Sequence, residues 1–548
     1  TPKLAGSCNP FVDANHLHKG YFMASLRSTP CENWPMRRLS LFFIWSLALS
    51  ALIIPNSANA TSTCGWDTST GWVARENKLP GDSTWSNGIA MRYSGDYSQR
   101  DQVGGFDKWV QSGIQGKRVE GWFDSVSATC GQSVGLHISG NAAPVKISIY
   151  RMGYYDGAGA RLIDQVVTKG AISSYAAPEI SSAPKSTVTT SWPVAFKFKP
   201  DKSTPPGQYL FRMDDGIGKP TFAPLMIENP EARGTTFISA VMTWQAYNQW
   251  GGYSLYKGPD LKRTSRSTVA SFERPYDGDG SGQSRYMELP ILRLAEEKGL
   301  DLAYATDFEL DENGAQIRNA TTLVMGGHNE YWTNNMRENL QSAIDRGTNL
   351  IVFGGNTGYN RIRLEDNRKL AMWRSTKSDP FGEVADKATT AWRMAPIHKP
   401  ESLILGSQYI GLGVSGDFKI THPTRWPFNV MAKPDLLKMV VGREVDSPLY
   451  SPGPAVESLA SSEIKVHGRS ATAMATYYNN KAGAGVIDIG TNGWPCAMAS
   501  ICPWHDFVPL NVREDIRAVT MNILVGAASG PLAKRYPALS DIPKREKG

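Results

Sequence analysis

Four side chains able to do acid, base or metal chemistry fall just behind apolar runs. Tyr247 sits in Thr243-Trp244-Gln245-Ala246-Tyr247-Asn248, which ends the apolar stretch Phe237–Met242. His328 and Glu330 belong to Gly326-Gly327-His328-Asn329-Glu330-Tyr331-Trp332, directly after Thr322–Met325. Asn356 follows Gly354-Gly355 and the run Leu350–Phe353. His328 and Glu330 are two positions apart on one turn, so both can face one crevice as an acid/base or metal-ligand pair. The competing reading is that they cap the next helix, whose positive N-terminal end attracts a carboxylate. For Tyr247 alone, core packing competes in the same way. The convergence of Tyr247, His328, Glu330 and Asn356 on neighbouring strand ends favours function. The glycine pairs permit sharp turns and a close backbone approach to a ligand.

Other chemistries lack their residues. No G-x-S-x-G nucleophile elbow, H-E-x-x-H zinc helix or G-x-x-x-x-G-K-[ST] phosphate loop occurs. No cysteine stands at a strand–helix turn. The histidines beyond residue 60 (His137, His328, His398, His422, His467 and His505) are scattered, which argues against a multi-histidine zinc site.

The elements that must hold the four residues alternate. Tyr286–Lys298 predicts a helix with Ile291, Leu294 and Ala295 on one face and Gly299 as its stop. Leu302–Tyr304 reads as a strand. Thr333 caps a helix carrying Met336, Leu340, Ala343 and Ile344 at core spacing. The alternation predicts an α/β domain over residues 229–530, a mostly parallel sheet with helices on both faces of the amidotransferase or flavodoxin type. Such sheets bind ligands beyond the carboxyl ends of their strands. Ala473–Tyr478 and Val486–Ile489 read as a hairpin turning through Ala482-Gly483-Ala484-Gly485, and Arg513–Val525 as a closing helix. Residues 61–228 carry alternating, β-branched or aromatic runs (Val134–Ser139, Val145–Met152, Trp192–Lys199, Tyr209–Met213) and predict a β-sandwich that braces the second domain or contacts glycan. Residues 531–548 are expected to form a flexible tail.

At 548 residues the chain exceeds one ordinary domain, and its 41% hydrophobic content supports a packed core. Residues 1–60 read as upstream sequence followed by a secretory signal peptide, Met36–Ala60. Arg37 and Arg38 precede the apolar run Leu39–Ile54, and Ala58-Asn59-Ala60 is a small-x-small cleavage site. A membrane anchor is the competing reading, but the run is short for a span of ~20 residues. The expected location is therefore secreted, periplasmic or extracellular, with no membrane association after cleavage. The net charge of +7 includes +3 from residues 1–60, and no basic cluster stands out, so nucleic acid is not an expected partner. Past residue 60 the cysteines are Cys64, Cys130, Cys496 and Cys502, an even number that predicts two disulfides in an exported chain. Sequence proximity pairs Cys496 with Cys502 and leaves Cys64 with Cys130.

The strings Thr243–Asn248, Arg274-Pro275-Tyr276-Asp277-Gly278, Gly327–Trp332 and Phe353-Gly354-Gly355-Asn356 resemble the C-terminal domain of the N,N-dimethylformamidase large (β) subunit, over roughly residues 229–530. The preceding Tyr150-Arg151-Met152-Gly153-Tyr154 string resembles the β module that accompanies this domain in exported relatives. The resemblance implies a mononuclear Fe(III) held by two tyrosinates and one glutamate, and hydrolysis of a small amide. Carried over, Tyr247 matches the first tyrosine, Glu330 the carboxylate and Tyr276 the second tyrosine, with Tyr286 as its competitor. His328 and Asn356 match polar groups beside the metal, and Glu444 in Gly442-Arg443-Glu444-Val445-Asp446 matches a further catalytic glutamate. In that scheme Glu444 or His328 shuttles the proton and Asn356 donates to the developing oxyanion.

The expected function is thus a secreted metal-dependent hydrolase of amide or related C–N bonds. Its expected partners are a small-molecule amide, with glycan contact through the β domain and homo-oligomerisation as further expectations. The alternatives are a non-catalytic exported carbohydrate- or surface-binding protein with a degenerate α/β domain, and a sugar-directed hydrolase using Glu330 and Glu444 as paired carboxylates.

Overall fold

The computed structural model describes residues 64–87, 119–175, 177–366, 368–433, 435–499 and 508–546. The expected signal peptide lies outside them. Residues 64–546 belong to one compact unit.

The expected mostly parallel flavodoxin-like sheet is not what the chain adopts. Strand (32%) outweighs helix (22%), which marks the molecule as mostly β. Its largest sheet has nine strands in the order 302–306, 234–239, 320–325, 349–352, 485–488, 469–479, 457–466, 408–420, 436–447. The first five run parallel, and the remaining four pairings are antiparallel. The antiparallel half has a local cause. Glu457–Val466 and Arg469–Asn479 are joined by two residues, His467 and Gly468, at φ of 49° and 77°. Two positive φ values in a two-residue loop match the right-handed twist of a hairpin. Long strands joined this tightly leave no room for crossover helices, so the sheet grows antiparallel.

Alternation along the parallel strands divides their side chains between two cores. Phe237, Val324, Ile351 and Ile487 enter one cluster with the helices Leu289–Glu297 and Leu510–Ala528. Ile238, Leu323, Leu350 and Val486 enter the other with Val241–Tyr247 and Asn334–Asp345. Successive residues of a strand point to opposite faces, so single-residue steps select the core.

One expected strand is shorter than its apolar run. Gly234–Ser239 is the strand, and Val241–Tyr247 is already helix. Two buried carboxylates set the break: Glu288 Oε1 accepts from the Ala240 N–H (2.8 Å), and Asp307 Oδ2 from the Met242 N–H (2.9 Å). Backbone donors at a helix start have no intrahelical partner, and acids satisfy them. Tyr247 therefore ends a helix rather than a strand.

Ahead of this sheet lie a three-stranded antiparallel sheet (120–123, 134–139, 194–198) and a five-stranded one (127–128, 221–227, 207–214, 146–152, 160–167). Cys64–Cys130 is a disulfide in this region. Cys496 is also disulfide-bonded, and Cys502 lies outside the described residues. Near the other end, Ile542 bridges to Val456 and Arg545 to Gly453. Among the described residues no helix is long and apolar enough to cross a membrane.

Arg151 fastens the five-stranded sheet to the rest. It lies on Lys146–Met152, and its guanidinium meets Glu296 of the helix Leu289–Glu297 at 2.9 Å, both side chains fully buried. Its remaining donors reach Tyr155 Oη (2.8 Å), Tyr304 Oη (3.0 Å) and the Pro206 carbonyl (2.9 Å). Removing one partner leaves the other charge uncompensated in the interior, which costs roughly 3–5 kcal/mol. Arg151→Met is therefore expected to lower the melting temperature far more than an exposed substitution, and Glu296→Gln added to it should cost little more. A double-mutant cycle by thermal denaturation checks this.

Glu288 gives a second expectation. Burial pushes its carboxyl up to about 7, against the pull of donors from Ala240, Trp244 and Gln208. The folded state keeps this proton where the unfolded chain, at ~4.3, has lost it. The contribution of Glu288 is thus complete at acid pH and fades as pH rises through about 7. Glu288→Gln should flatten the fall in stability across that window, read by denaturant titration at a series of pH values.

Candidate functional site

Glu330 is the centre of the site. It lies in the loop that follows the strand Ala320–Met325, where its N–H and that of Tyr331 donate to Thr243 Oγ1 at 3.0 and 3.3 Å. Its carboxylate accepts from three side chains. Tyr247 Oη reaches Oε2 at 2.6 Å, and Tyr256 Oη reaches Oε1 at 2.7 Å and Oε2 at 2.6 Å. Asn360 Nδ2 reaches Oε1 at 2.6 Å. Asn360 is placed by the short strand Asn360–Arg361, which pairs with Tyr331–Trp332 and whose Asn360 N–H also holds the Glu330 carbonyl (3.0 Å).

The two phenols are stacked, with ring centroids 4.2 Å apart. Tyr247 comes from the last turn of Val241–Tyr247. Tyr256 comes from the following loop, tied back by the Leu255 N–H on the Ala246 carbonyl (3.0 Å). Arg374 covers the outer face of Tyr256 at 4.5 Å and donates to Tyr331 Oη.

A second carboxylate faces the first across His328. His328 Nε2 is 2.9 Å from Glu444 Oε2 and 3.6 Å from Glu330 Oε2. Glu444 comes from the antiparallel strand Leu436–Ser447 and also accepts from Asn356 Nδ2 (3.2 Å) and Asn492 Nδ2 (2.8 Å). Asn356 adopts φ of 58°, and its N–H is gripped by Asp446 Oδ1 and Oδ2 at 2.9 and 3.1 Å. Asparagine tolerates this left-handed conformation better than most residues.

The electrostatics divide the site in two. Burial alone would push His328 down, but the Glu444 carboxylate beside it outweighs burial and raises it. Burial likewise works to raise Glu444, and the His328 charge and hydrogen bond bring it below the usual carboxylate range. The pair therefore favours imidazolium and carboxylate. Glu330 is raised by burial and by repulsion from Glu444. Burial and the neighbouring Glu330 push Tyr247 and Tyr256 well above an ordinary phenol. The two phenols thus keep their protons and donate them to Glu330.

Tyr247, His328, Glu330, Asn356 and Glu444 lie together. Tyr276 does not join them. Its ring packs on Trp244 with centroids 6.1 Å apart, and its buried hydroxyl has no hydrogen-bond partner among the described residues. Tyr286 packs with Met287 and Ala499. The second tyrosine at Glu330 is Tyr256, because the chain doubles back within nine residues of Tyr247 instead of returning by the longer loop to 276. Asn360 and Asn492 are further site residues that sequence reasoning did not single out.

The second glycine pair gives room to neighbouring backbone. A Cβ on Gly354 would collide with the Gly327 carbonyl oxygen, and one on Gly355 would stand 2.8 Å from the Glu444 carbonyl oxygen. The loops carrying His328 and Asn356 and the strand carrying Glu444 therefore approach backbone to backbone. Gly354→Ala should destabilise by roughly 1–3 kcal/mol, the usual range for overpacking. It should also disturb the Asn356–Glu444 contact, seen as a shifted Asn356 side-chain amide resonance by NMR.

A search of curated proteins finds no match to this chain. A family model described as N,N-dimethylformamidase beta subunit-like, C-terminal, matches residues 146–507, from the strand that bears Arg151 to beyond Asn492. That stretch is well over half of the 548 residues and includes every residue gathered at Glu330 and Glu444. The chain belongs to the N,N-dimethylformamidase beta subunit-like family.

Proposed function

We propose that this family member is a secreted iron-dependent hydrolase of small amides or related C–N bonds, with Tyr247, Tyr256 and Glu330 as its metal ligands. The observation that carries the reading is the convergence of both phenol oxygens on Glu330 Oε2, each at 2.6 Å. Three hard oxygen donors this close, two from one doubled-back segment and the third from a loop more than seventy residues on, suit a small high-charge cation. Two tyrosinates and a carboxylate carry three negative charges, which Fe(III) neutralises. The raised phenols and Glu330 fit the same account, since a bound cation reverses the cost of ionising them.

An iron(III) ion in this cluster would supply Lewis acidity toward a carbonyl oxygen and toward water. The surrounding residues handle the protons. Glu444, held ionised by His328 and oriented by Asn356 and Asn492, is the general base for water. His328, which spans the gap between Glu444 and Glu330, carries a proton to the departing amine. Asn356 uses its amide N–H₂ to orient Glu444, so its role is positioning rather than oxyanion donation. Asn360 fixes the Glu330 rotamer. The disulfide Cys64–Cys130 supports export, because such crosslinks persist outside the reducing cytosol.

Protein purified after iron supplementation is expected to hold about one iron per chain and to show a visible tyrosinate charge-transfer band. Glu330→Ala should lose the metal, and Tyr256→Phe should bleach or shift the band, whereas Tyr276→Phe should leave it unchanged. Asn360→Ala should weaken iron affinity by about 10–100-fold. Binding must displace protons from the two phenols, so affinity should rise with pH. Absence of metal by elemental analysis, or a band indifferent to Tyr256→Phe, overturns the ligand set.

A further inference from the structure

Arg374 stands at the rim of the Glu330 cluster among neutral acceptors. Its guanidinium lies 4.5 Å from the Tyr256 ring and 5.8 Å from that of Tyr331. It donates to Tyr331 Oη and, from Nε, to the Leu255 carbonyl at 3.3 Å. Glu330 is the carboxylate whose charge acts on it. In the proposed metal centre Glu330, two tyrosinates and Fe(III) cancel, so Arg374 is then left with no net anion to offset it.

The fold sets a second guanidinium beside this one. The strand Val269–Ser271 pairs antiparallel with Lys369–Ala371, Val269 facing Ala371, and the Met372 N–H extends the ladder to the Thr268 carbonyl at 2.8 Å. Two residues further along the same register, Arg266 falls opposite Arg374. The loop from Tyr256 to Arg266 is closed on itself by the Ser267 N–H on the Ser254 carbonyl (3.0 Å) and the Gly258 N–H on the Lys262 carbonyl (3.2 Å). It also carries Lys257, Lys262 and Arg263. Its single acid, Asp260, is taken up by the Lys262 N–H (3.1 Å) and the Ser265 hydroxyl. Arg266 Nη1 donates to the Arg263 carbonyl at 2.6 Å, and its buried Nε has no partner among the described residues. Burial and the charges of Arg374 and Arg263 push Arg266 below its ordinary value. Arg263 is exposed, and Arg266 and Arg374 are half-buried, so positive charge leads from solvent toward Glu330.

We propose that Arg374 and Arg266 together seat a carboxylate carried by the substrate, which is thus an acid-bearing amide of the N-acyl amino acid type. Paired guanidinium groups offer a planar carboxylate parallel N–H donors, which an ammonium group does not. The substrate class rests on the iron-hydrolase reading, whereas the carboxylate seat does not. Hydrolysis breaks the amide C–N bond, the hydroxyl of water going to carbon and its proton to the amine. Both arginines stay protonated throughout and act by positioning.

The test uses full-length protein stripped of metal, with N-acetylglycine and its uncharged counterpart N-acetylglycinamide as probes in isothermal titration calorimetry. The anion should bind roughly tenfold tighter than the amide. Arg266→Gln should erase that preference without lowering the melting temperature, and Arg266→Lys should restore part of it. In iron-loaded protein Arg266→Gln should raise KM for N-acetylglycine and leave kcat unchanged. Metal-free protein that binds both probes equally overturns the proposal. So does a preference that survives Arg266→Gln, or inorganic phosphate binding there more tightly than N-acetylglycine. Protein that takes up no iron yet keeps an Arg266-dependent preference sinks the iron reading and leaves the carboxylate seat standing.

Discussion

A carboxylate buried out of water must be compensated, and Glu330 is compensated by more elements than any one of them needs for its own folding. A helix end, a doubled-back loop and a two-residue strand each deliver one donor to it. Across His328 the antiparallel half of the sheet supplies a second carboxylate, Glu444, with its own pair of amides. The parallel strands alone would present only one half of this arrangement. The mixed sheet, which departs from a flavodoxin-like plan, is what allows two carboxylates of opposite tendency to meet. Burial and the neighbouring Glu444 raise one, the His328 charge lowers the other, and such divergence is what acid–base chemistry requires.

The layer ahead of the sheet is not a loosely attached passenger. Arg151 and Glu296 are fully buried, and the ion pair carries the mechanical link from the five-stranded sheet to a helix under the strands that build the site. The family match begins in the strand that holds Arg151, so this link falls inside the matched region.

Much of the site was legible in the sequence because strand ends followed by glycine pairs announce where loops converge. His328, Glu330 and Asn356 follow that pattern, and Glu444 came from a resemblance rather than from any local signal. Tyr256 was hidden because it lies in a loop, Tyr253-Ser254-Leu255-Tyr256, with no periodicity, and its position depends on a backbone bond from Leu255 to Ala246 that no spacing reveals. Tyr276, by contrast, stands in a conspicuous motif and turns away to pack on Trp244. Asn492 could have been found, since it follows Gly485–Asp488 as Asn356 follows Asn349–Val352. That required reading Gly485–Asp488 as a parallel neighbour of Asn349–Val352 as well as a hairpin partner. The strands Gln408–Ile420 and Leu436–Ser447 were missed because glycines and bulges interrupt their alternation.

The contact between Gly327 and Gly354 has a consequence for how such a centre can diversify. Two loops that already touch main chain to main chain cannot move closer, and moving apart opens a void that nothing fills. The span between the His328 loop and the Asn356 loop is therefore a fixed gauge. Relatives with other substrates would have to vary what hangs from the frame, at the rim or on the Tyr256 loop, while the frame itself stays invariant in width.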